Sequence, residues 1–126
     1  MKKNFQSNQK DNNVTTIFGN GSAHSNDGPV SIATINQPQG IAIHPITQEV
    51  YIGEFYGAVN SYRGNVRAWN RTSQTVRTVI SSTPSPGYLD FMNDGTLYFT
   101  SSVYGYGLYK MFTNGLPFLN FIYNSI

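Results

Sequence analysis

Short alternations of apolar and polar residues run along most of this chain, and they predict β-strands rather than helices. In two predicted hairpins, residues 41–43 turn back on residues 50–52, and residues 89–91 turn back on residues 97–100. Pro, Gly, Asn and Asp, the residues that favour turns, bound these runs. No apolar pattern with the 3.6-residue period of a helix extends far enough to predict one. We therefore expect an all-β protein.

The two hairpins belong to a longer internal repeat. Leu89 follows Ile41 by 48 residues, and Leu97 follows Val50 by 47. A period of this length is typical of β-propeller blades, which bury their apolar faces against neighbouring blades. A closed propeller has about 4–8 four-stranded blades, whereas the 126 residues of this chain provide two. The sequence therefore predicts a β-propeller fragment, with two four-stranded antiparallel blades plus one extra N-terminal strand.

The boundaries of the blades follow from the turn residues. Residues 1–13 are a polar tail that we expect to be disordered, and residues 14–126 form the propeller fragment. The extra strand is predicted at 14–18. Blade one is predicted at about 38–80, with its third and fourth strands at 66–70 and 75–80. Blade two is predicted at about 86–123, with its third and fourth strands at 108–112 and 118–123 and a turn between them at Asn114-Gly115.

Composition excludes some function classes and leaves others open. Charged residues make up 11% of the chain and aromatic residues 14%, a balance that favours packed β-structure. The net charge of +2 is too small to indicate a nucleic-acid or membrane partner by itself. Without cysteine there is no disulfide or thiolate site. We see neither a signal peptide nor a transmembrane segment, so the compartment stays open, with the cytoplasm as the default expectation.

The first unit resembles the NHL-repeat family of β-propellers. The resemblance rests on residues 14–21, on Asp27-Gly-Pro-Val, on residues 33–43 with their Pro-x-Gly, and on residues 50–52, and it extends to Arg67 at a recurrent basic position. The second unit keeps fewer of these residues and reads as a degenerate blade. Glu54 and Ser101 stand where the family usually has an Asp at the end of the second strand.

The resemblance implies a scaffold. Members of this family serve as protein-binding or RNA-binding platforms, as extracellular sensors and occasionally as metal-dependent lyases. We therefore expect a non-catalytic scaffold that binds a protein partner, or associates with itself through exposed blade faces, as part of a longer propeller. A fragment of a propeller enzyme, of the metal-dependent lyase or hydrolase type, is one alternative, and an RNA-binding surface is another. No cofactor is expected.

Residues that could bind a metal are few. His44 and Asp90 lie at or beside the inner strands, and together with Glu54 they are the best available ligands. A zinc site needs three or four converging ligands. We therefore interpret His44 as a turn residue before Pro45, Asp90 as a strand-face residue and Glu54 as a turn cap. No Gly-x-Ser-x-Gly motif or cysteine is present to supply a nucleophile.

Basic and aromatic residues cluster in one stretch of blade one. RNA-binding surfaces combine basic side chains with stacking aromatics. Arg67 and Trp69 share one strand face, however, and the NHL resemblance implies that such residues pack between blades. Packing is therefore the favoured interpretation and RNA contact the alternative. The residues concerned are Arg63, Arg67, Trp69 and Arg71.

A second aromatic group falls in glycine-rich loops between predicted strands. Exposed tyrosines in such loops suit the rim of a protein-binding surface, and burial in the core is the alternative. Tyr104 and Tyr106 are flanked by Gly105 and Gly107, which makes them hard to bury. The predicted rim consists of Phe55, Tyr56, Tyr62, Tyr104 and Tyr106.

Overall fold

The computed structural model describes residues 12–55, 63–101 and 107–112. These residues form two antiparallel β-sheets, and no helix occurs among them. Sheet 1 has five strands and sheet 2 has three. The strands are β1 (Gly28–Pro29), β2 (Pro38–Ile43), β3 (Val50–Phe55), β4 (Arg63–Asn70), β5 (Thr75–Pro84), β6 (Leu89–Phe91), β7 (Thr96–Ser101) and β8 (Gly107–Phe112).

Sheet 1 is a meander of β2, β3, β4 and β5, with the short strand β1 added outside β5. Each of the two tight turns of the meander ends in a glutamine with positive φ, Gln48 at 61° and Gln74 at 55°. In each turn the glutamine Nε2 donates to the carbonyl oxygen three residues earlier, that of Pro45 or Arg71. These bonds within the turn compensate for a backbone conformation that non-glycine residues rarely adopt. The four-stranded meander predicted for the first unit is confirmed.

Sheet 2 contains the hairpin predicted at residues 89–100 and the strand predicted next to it. Gly95, with φ of 87°, provides the left-handed residue of the β6–β7 turn. The backbone N–H of Thr96 donates to Asp94 Oδ1 at 2.9 Å and lowers the pKa of that carboxyl group. The predicted strand at 118–123 and the turn at Asn114-Gly115 lie outside the described residues, as does the tail up to residue 11.

One predicted strand is wrong. Residues 14–18 form no strand, although their β-branched composition favours one. A strand needs a neighbour with free backbone groups, and this run follows a face of sheet 1 instead of pairing with an edge. The edge beside β5 carries β1, which the sequence analysis did not predict because Gly and Pro disfavour strands.

The two units have the same strand register. In sheet 1, Ile41, Ala42 and Ile43 pair with Ile52, Tyr51 and Val50. In sheet 2, the residues equivalent to these by the repeat, Leu89, Asp90 and Phe91, pair in the same order with Phe99, Tyr98 and Leu97. The agreement continues into the third strand, where Tyr51 pairs with Ala68 and Tyr98 pairs with Lys110. The repeat seen in the sequence is therefore a repeat of structure.

The core lies between the two sheets. Sheet 1 contributes Tyr51, Val66, Ala68 and Ile80, and sheet 2 contributes Leu89, Leu97, Phe99 and Met111, all in one apolar cluster. Two glycines of sheet 1 allow the backbones to meet. A Cβ on Gly40 would lie 2.0 Å from the carbonyl oxygen of Gly87, and one on Gly53 would lie 2.3 Å from that of Pro86. The sheets therefore pack face against face, and the segment that leads into β6 lies against the backbone of sheet 1 at a spacing that only glycine permits.

Among the residues that the structure describes, no helix is long and apolar enough to cross a membrane.

Candidate functional site

His44, the first of the predicted metal ligands, is a structural residue of the β2–β3 turn. Its side chain is buried, and its Nδ1 accepts hydrogen bonds from the backbone N–H groups of Ile46 at 3.2 Å and Thr47 at 3.1 Å. The imidazole ring packs against Phe91 of sheet 2 with 4.9 Å between ring centres. His44 therefore holds its own turn and contributes to the contact between the sheets.

Glu54 and Asp90 lie in different surroundings from His44 and from each other. Glu54 is fully buried and paired with Arg67. Asp90 is exposed on sheet 2, where its Oδ1 accepts from the backbone N–H of Phe91. Within residues 12–55, 63–101 and 107–112, no three His, Cys, Asp or Glu side chains are placed to hold a metal ion together. The structure does not bring the three candidates together.

Arg67 is the centre of a buried polar network on sheet 1. Its side chain has no exposed area, and its Nη1 lies 2.6 Å from Glu54 Oε1. On the other side, its Nη2 lies 2.8 Å from Asp27 Oδ1. The guanidinium also donates to the backbone carbonyl oxygens of Thr34 and Asn26, at 3.1 and 2.9 Å. Every nitrogen of this guanidinium is used within the protein, so Arg67 has no donor to offer an RNA phosphate.

Glu54 completes the network from β3. Its carboxylate accepts from Ser25 Oγ at 2.9 Å, from the backbone N–H of Asn36 at 3.0 Å and from Asn65 Nδ2 at 3.0 Å. Together with Arg67, it attaches the segment 25–36 to the face of sheet 1. Buried charges are stable only when they are paired and hydrogen-bonded in this way.

The sequence analysis did not predict that residues of the segment 25–36 take part in this network. Asp27, Ser25 and Asn36 lie in a long polar loop in which no pattern distinguishes them from solvent-facing residues. The available signal was on the strands: Glu54 and Arg67 fall on one face of neighbouring strands and carry opposite charges.

The other residues proposed for RNA contact are dispersed. Arg63 begins β4 and donates to the carbonyl oxygen of Ser82, and the exposed Arg71 lies beyond the other end of β4. The extended strand between them separates their backbones by roughly 26 Å. Trp69 is half-buried, and its buried indole N–H has no hydrogen-bond partner in the described part of the chain. These side chains do not form one basic and aromatic patch.

Only one residue of the predicted rim is described. Phe55 ends β3, is partly buried, and its backbone N–H donates to the carbonyl oxygen of Gln37 at 3.2 Å. Tyr56, Tyr62, Tyr104 and Tyr106 lie outside the described residues.

An open apolar groove lies on the face of sheet 1 that points away from sheet 2. It has a volume of about 470 Å³, and its polar lining is minor. Ile41 and Ile43 are 67% and 53% exposed, which is unusual for isoleucine on a sheet face. We call the strand residues of this surface the open face; they are Ile41, Ile43, Val50, Ile52 and Trp69, of which Val50 and Ile52 are buried and Trp69 is partly buried. Residues 15–18 form a second wall of the groove.

The open face and the polar network share one side of sheet 1. Side chains alternate along a strand, so Val50, Ile52 and Glu54 of β3 point to the same side. The segment 25–36 covers the end of this side that carries Glu54 and Arg67, and the end that carries Ile41 and Ile43 stays uncovered. The network therefore positions the groove by restricting the covering segment to one half of the face.

A comparison with models of known protein families finds no match to this chain, and a comparison with curated proteins finds none either.

Proposed function

We propose that the two sheets are consecutive blades of a β-propeller of the NHL type, and that the chain is a non-catalytic scaffold that binds another protein through the open face. The observation that carries the proposal is the exposure of Ile41 and Ile43 on this apolar face, at positions whose equivalents in sheet 2, Leu89 and Phe91, are packed in the core. Contiguous exposed apolar surface on a folded domain is typical of a site of protein interaction.

The blade interpretation is supported by the strand register and the packing of the two repeated units. The two units have equal strand registers and pack face to face, with one side of sheet 1 covered by the opposite side of sheet 2. Units that bury their faces in this serial way need a neighbour on each side. The remaining strands of a propeller would come from a longer chain or from other chains.

The alternatives have less support. The residues on which an enzyme would depend are engaged in separate internal contacts, in the case of His44 and Glu54, or exposed on their own, in the case of Asp90. The RNA alternative depended on Arg67, whose guanidinium is buried.

Site-specific photo-crosslinking tests the proposal. A photoreactive residue is placed at position 43, in the groove, in the full chain within cells that make it, and the attached peptide is identified by mass spectrometry. The matched control places the same residue at Ile46, which is 69% exposed but belongs to the β2–β3 turn. We expect a defined protein adduct from position 43 only. Equal adducts from both positions, or none from either, would contradict the proposal.

A further inference from the structure

The structure shows what kind of surface covers the equivalent of the open face. By the repeat and the shared register, Ile41, Ile43, Val50, Ile52 and Trp69 correspond to Leu89, Phe91, Leu97, Phe99 and Met111 of sheet 2. Leu89, Leu97, Phe99 and Met111 are buried, and Phe91 is packed against them. Their cover is the other side of sheet 1. We therefore expect the open face to be covered by the corresponding side of another blade.

The cover that sheet 1 provides has a recognisable composition. Tyr51 and His44 are its ring side chains, and both meet Phe91 with 4.9 Å between ring centres, Tyr51 edge to face. Val66, Ala68 and Ile80 lie with Tyr51 in the buried cluster. Gly40 and Gly53 let the backbone of Pro86 and Gly87, just before β6, approach. A tyrosine with branched apolar neighbours, small residues and a second ring at its edge is thus the complement of the face.

Among the described residues, a further surface lies at the equivalent positions, on the side of sheet 2 that points away from sheet 1. We call it the far face; it consists of Tyr88, Asp90, Tyr98, Thr100, Leu108 and Lys110. Tyr98 stands where sheet 1 has Tyr51, and Leu108 stands where it has Val66. Leu108 is 40% exposed and Tyr88 is 82% exposed. Both apolar positions are therefore kept in sheet 2, where Leu108 is exposed and Tyr98 is partly buried.

The far face differs from the internal cover in three respects. One is Thr100, which stands where sheet 1 has Gly53 and so adds a side chain at that position. Tyr88 replaces Gly40, so the far face projects further, and the groove of about 470 Å³ provides space for such a projection. Asp90 and Lys110 replace Ala42 and Ala68, and they flank Tyr98 on the two neighbouring strands. Their charges are opposite, so the far face brings no net charge to an uncharged groove.

We propose that a second copy of this chain is the occupant of the groove, and that it docks with its far face. This inference rests on the proposed function and names the partner of the same site. The contact is head to tail, because each copy contributes its groove to one contact and its far face to another. Head-to-tail contacts close into rings when the rotation allows it. A propeller of about 4–8 blades corresponds to about two to four copies of a two-blade chain.

Light scattering on the full chain over a concentration series tests this proposal with paired variants. Ile43→Glu places a charge in the groove, and Leu108→Glu places one on the far face. Both side chains are exposed in the single chain, so neither change disturbs its core. Ile46→Glu is the control, since it adds the same charge to an exposed isoleucine outside both surfaces. Circular dichroism verifies that each variant is folded.

The expected result is a discrete mass of two to four chains for the parent and for Ile46→Glu, and the mass of one chain for either other variant. An equimolar mixture of the Ile43→Glu and Leu108→Glu chains should form a dimer and nothing larger, because one intact groove and one intact far face remain. A symmetric contact between two grooves would instead leave Leu108→Glu dimeric on its own, and mixing in Ile43→Glu would add no further dimer; this outcome overturns the proposal.

Failure of this inference can be told apart from failure of the proposed function. A parent chain that is monomeric at every concentration, and whose position 43 crosslinks to a different protein, overturns the inference and leaves the scaffold function standing. A monomeric chain with no crosslinked product from position 43 overturns both.

Discussion

Arg67 and Glu54 form an ion pair in which both side chains are completely buried, with 2.6 Å between Nη1 and Oε1. The pair joins two neighbouring strands and at the same time holds the segment 25–36 on the face of sheet 1. In sheet 2 the equivalent positions carry Ser101 and Tyr109, and Tyr109 stacks on Phe99 with 5.3 Å between ring centres. The second unit therefore replaces an ionic connection with an aromatic one.

Arg67→Met should destabilise the protein by about 3–5 kcal/mol, because it leaves the Glu54 carboxylate buried without its cation. The free energy of unfolding is measured by urea denaturation. The matched control is Arg77→Met, which removes an ion pair of similar length, 2.7 Å to Glu49, from a half-exposed arginine. That change should cost less than about 1 kcal/mol. Equal losses for the two variants would show that the buried network does not stabilise the fold.

Gly53→Ala should displace the segment that leads into β6 from the backbone of sheet 1. The added Cβ would lie 2.3 Å from the carbonyl oxygen of Pro86, a backbone atom that cannot move alone. We expect a loss of about 1–3 kcal/mol in the free energy of unfolding. Gly87→Ala is the control, since its Cβ would be in ordinary contact at 3.4 Å from the nearest atom. If both alanines cost the same, the close approach of this segment at Gly53 would be refuted.

His44→Ala should lower the free energy of unfolding by about 2–4 kcal/mol, because it removes a buried ring and the acceptor of two backbone N–H groups. His24→Ala, at an exposed position, should be neutral within about 0.5 kcal/mol. His44→Phe keeps a ring against Phe91 and loses the acceptor, so its stability should be intermediate. A phenylalanine variant as stable as the parent would contradict the role given to Nδ1.

Stability should fall at alkaline pH through Tyr51. Burial raises the pKa of this phenol above its usual value of 10.0, with smaller contributions from Arg77, which lowers it, and Glu49, which raises it. Above about pH 10, the unfolded chain therefore releases this proton while the folded chain keeps it, and unfolding becomes easier as pH rises. Urea denaturation between about pH 9 and pH 11 measures the slope.

Tyr51→Phe should make that slope shallower, because the ring remains and the ionisable group is removed. Tyr88→Phe, at an exposed position, is the control and should leave the slope as in the parent. The same alkaline slope in all three chains would contradict a raised pKa at Tyr51.

The sequence predicted much of the sheet architecture because its signals are local. Alternating apolar residues and turn formers located β2 to β8 to within a few residues, apart from the longer extents of β4 and β5. Residues 14–18 carried an equally good local signal, and the prediction there was wrong. Propensity describes how well a residue fits a strand, but only a free neighbouring edge makes a strand, and that depends on distant parts of the chain.

The site was harder to predict for the same reason. Asp27 and Arg67 are forty residues apart in the sequence, and their pairing follows from the path of a polar loop that has no regular pattern. The open face, by contrast, was present in the alternation of Ile41 with Ile43 and of Val50 with Ile52. What the alternation cannot tell is whether such a face is covered, since buried and exposed sheet faces have the same pattern until the neighbouring sheet is known.

Asp27 has one more consequence, at the outer strand of sheet 1. Its Oδ2 accepts from the backbone N–H of Thr78 at 2.9 Å, and β1 pairs with Thr75 and Val76 just before it. Unsatisfied N–H groups along an outer strand are a template on which strands of other molecules add, the route to fibrous aggregates. A carboxylate and a two-residue strand occupy this template. Addition of a further strand beside β5 is thereby blocked at Thr75, Val76 and Thr78.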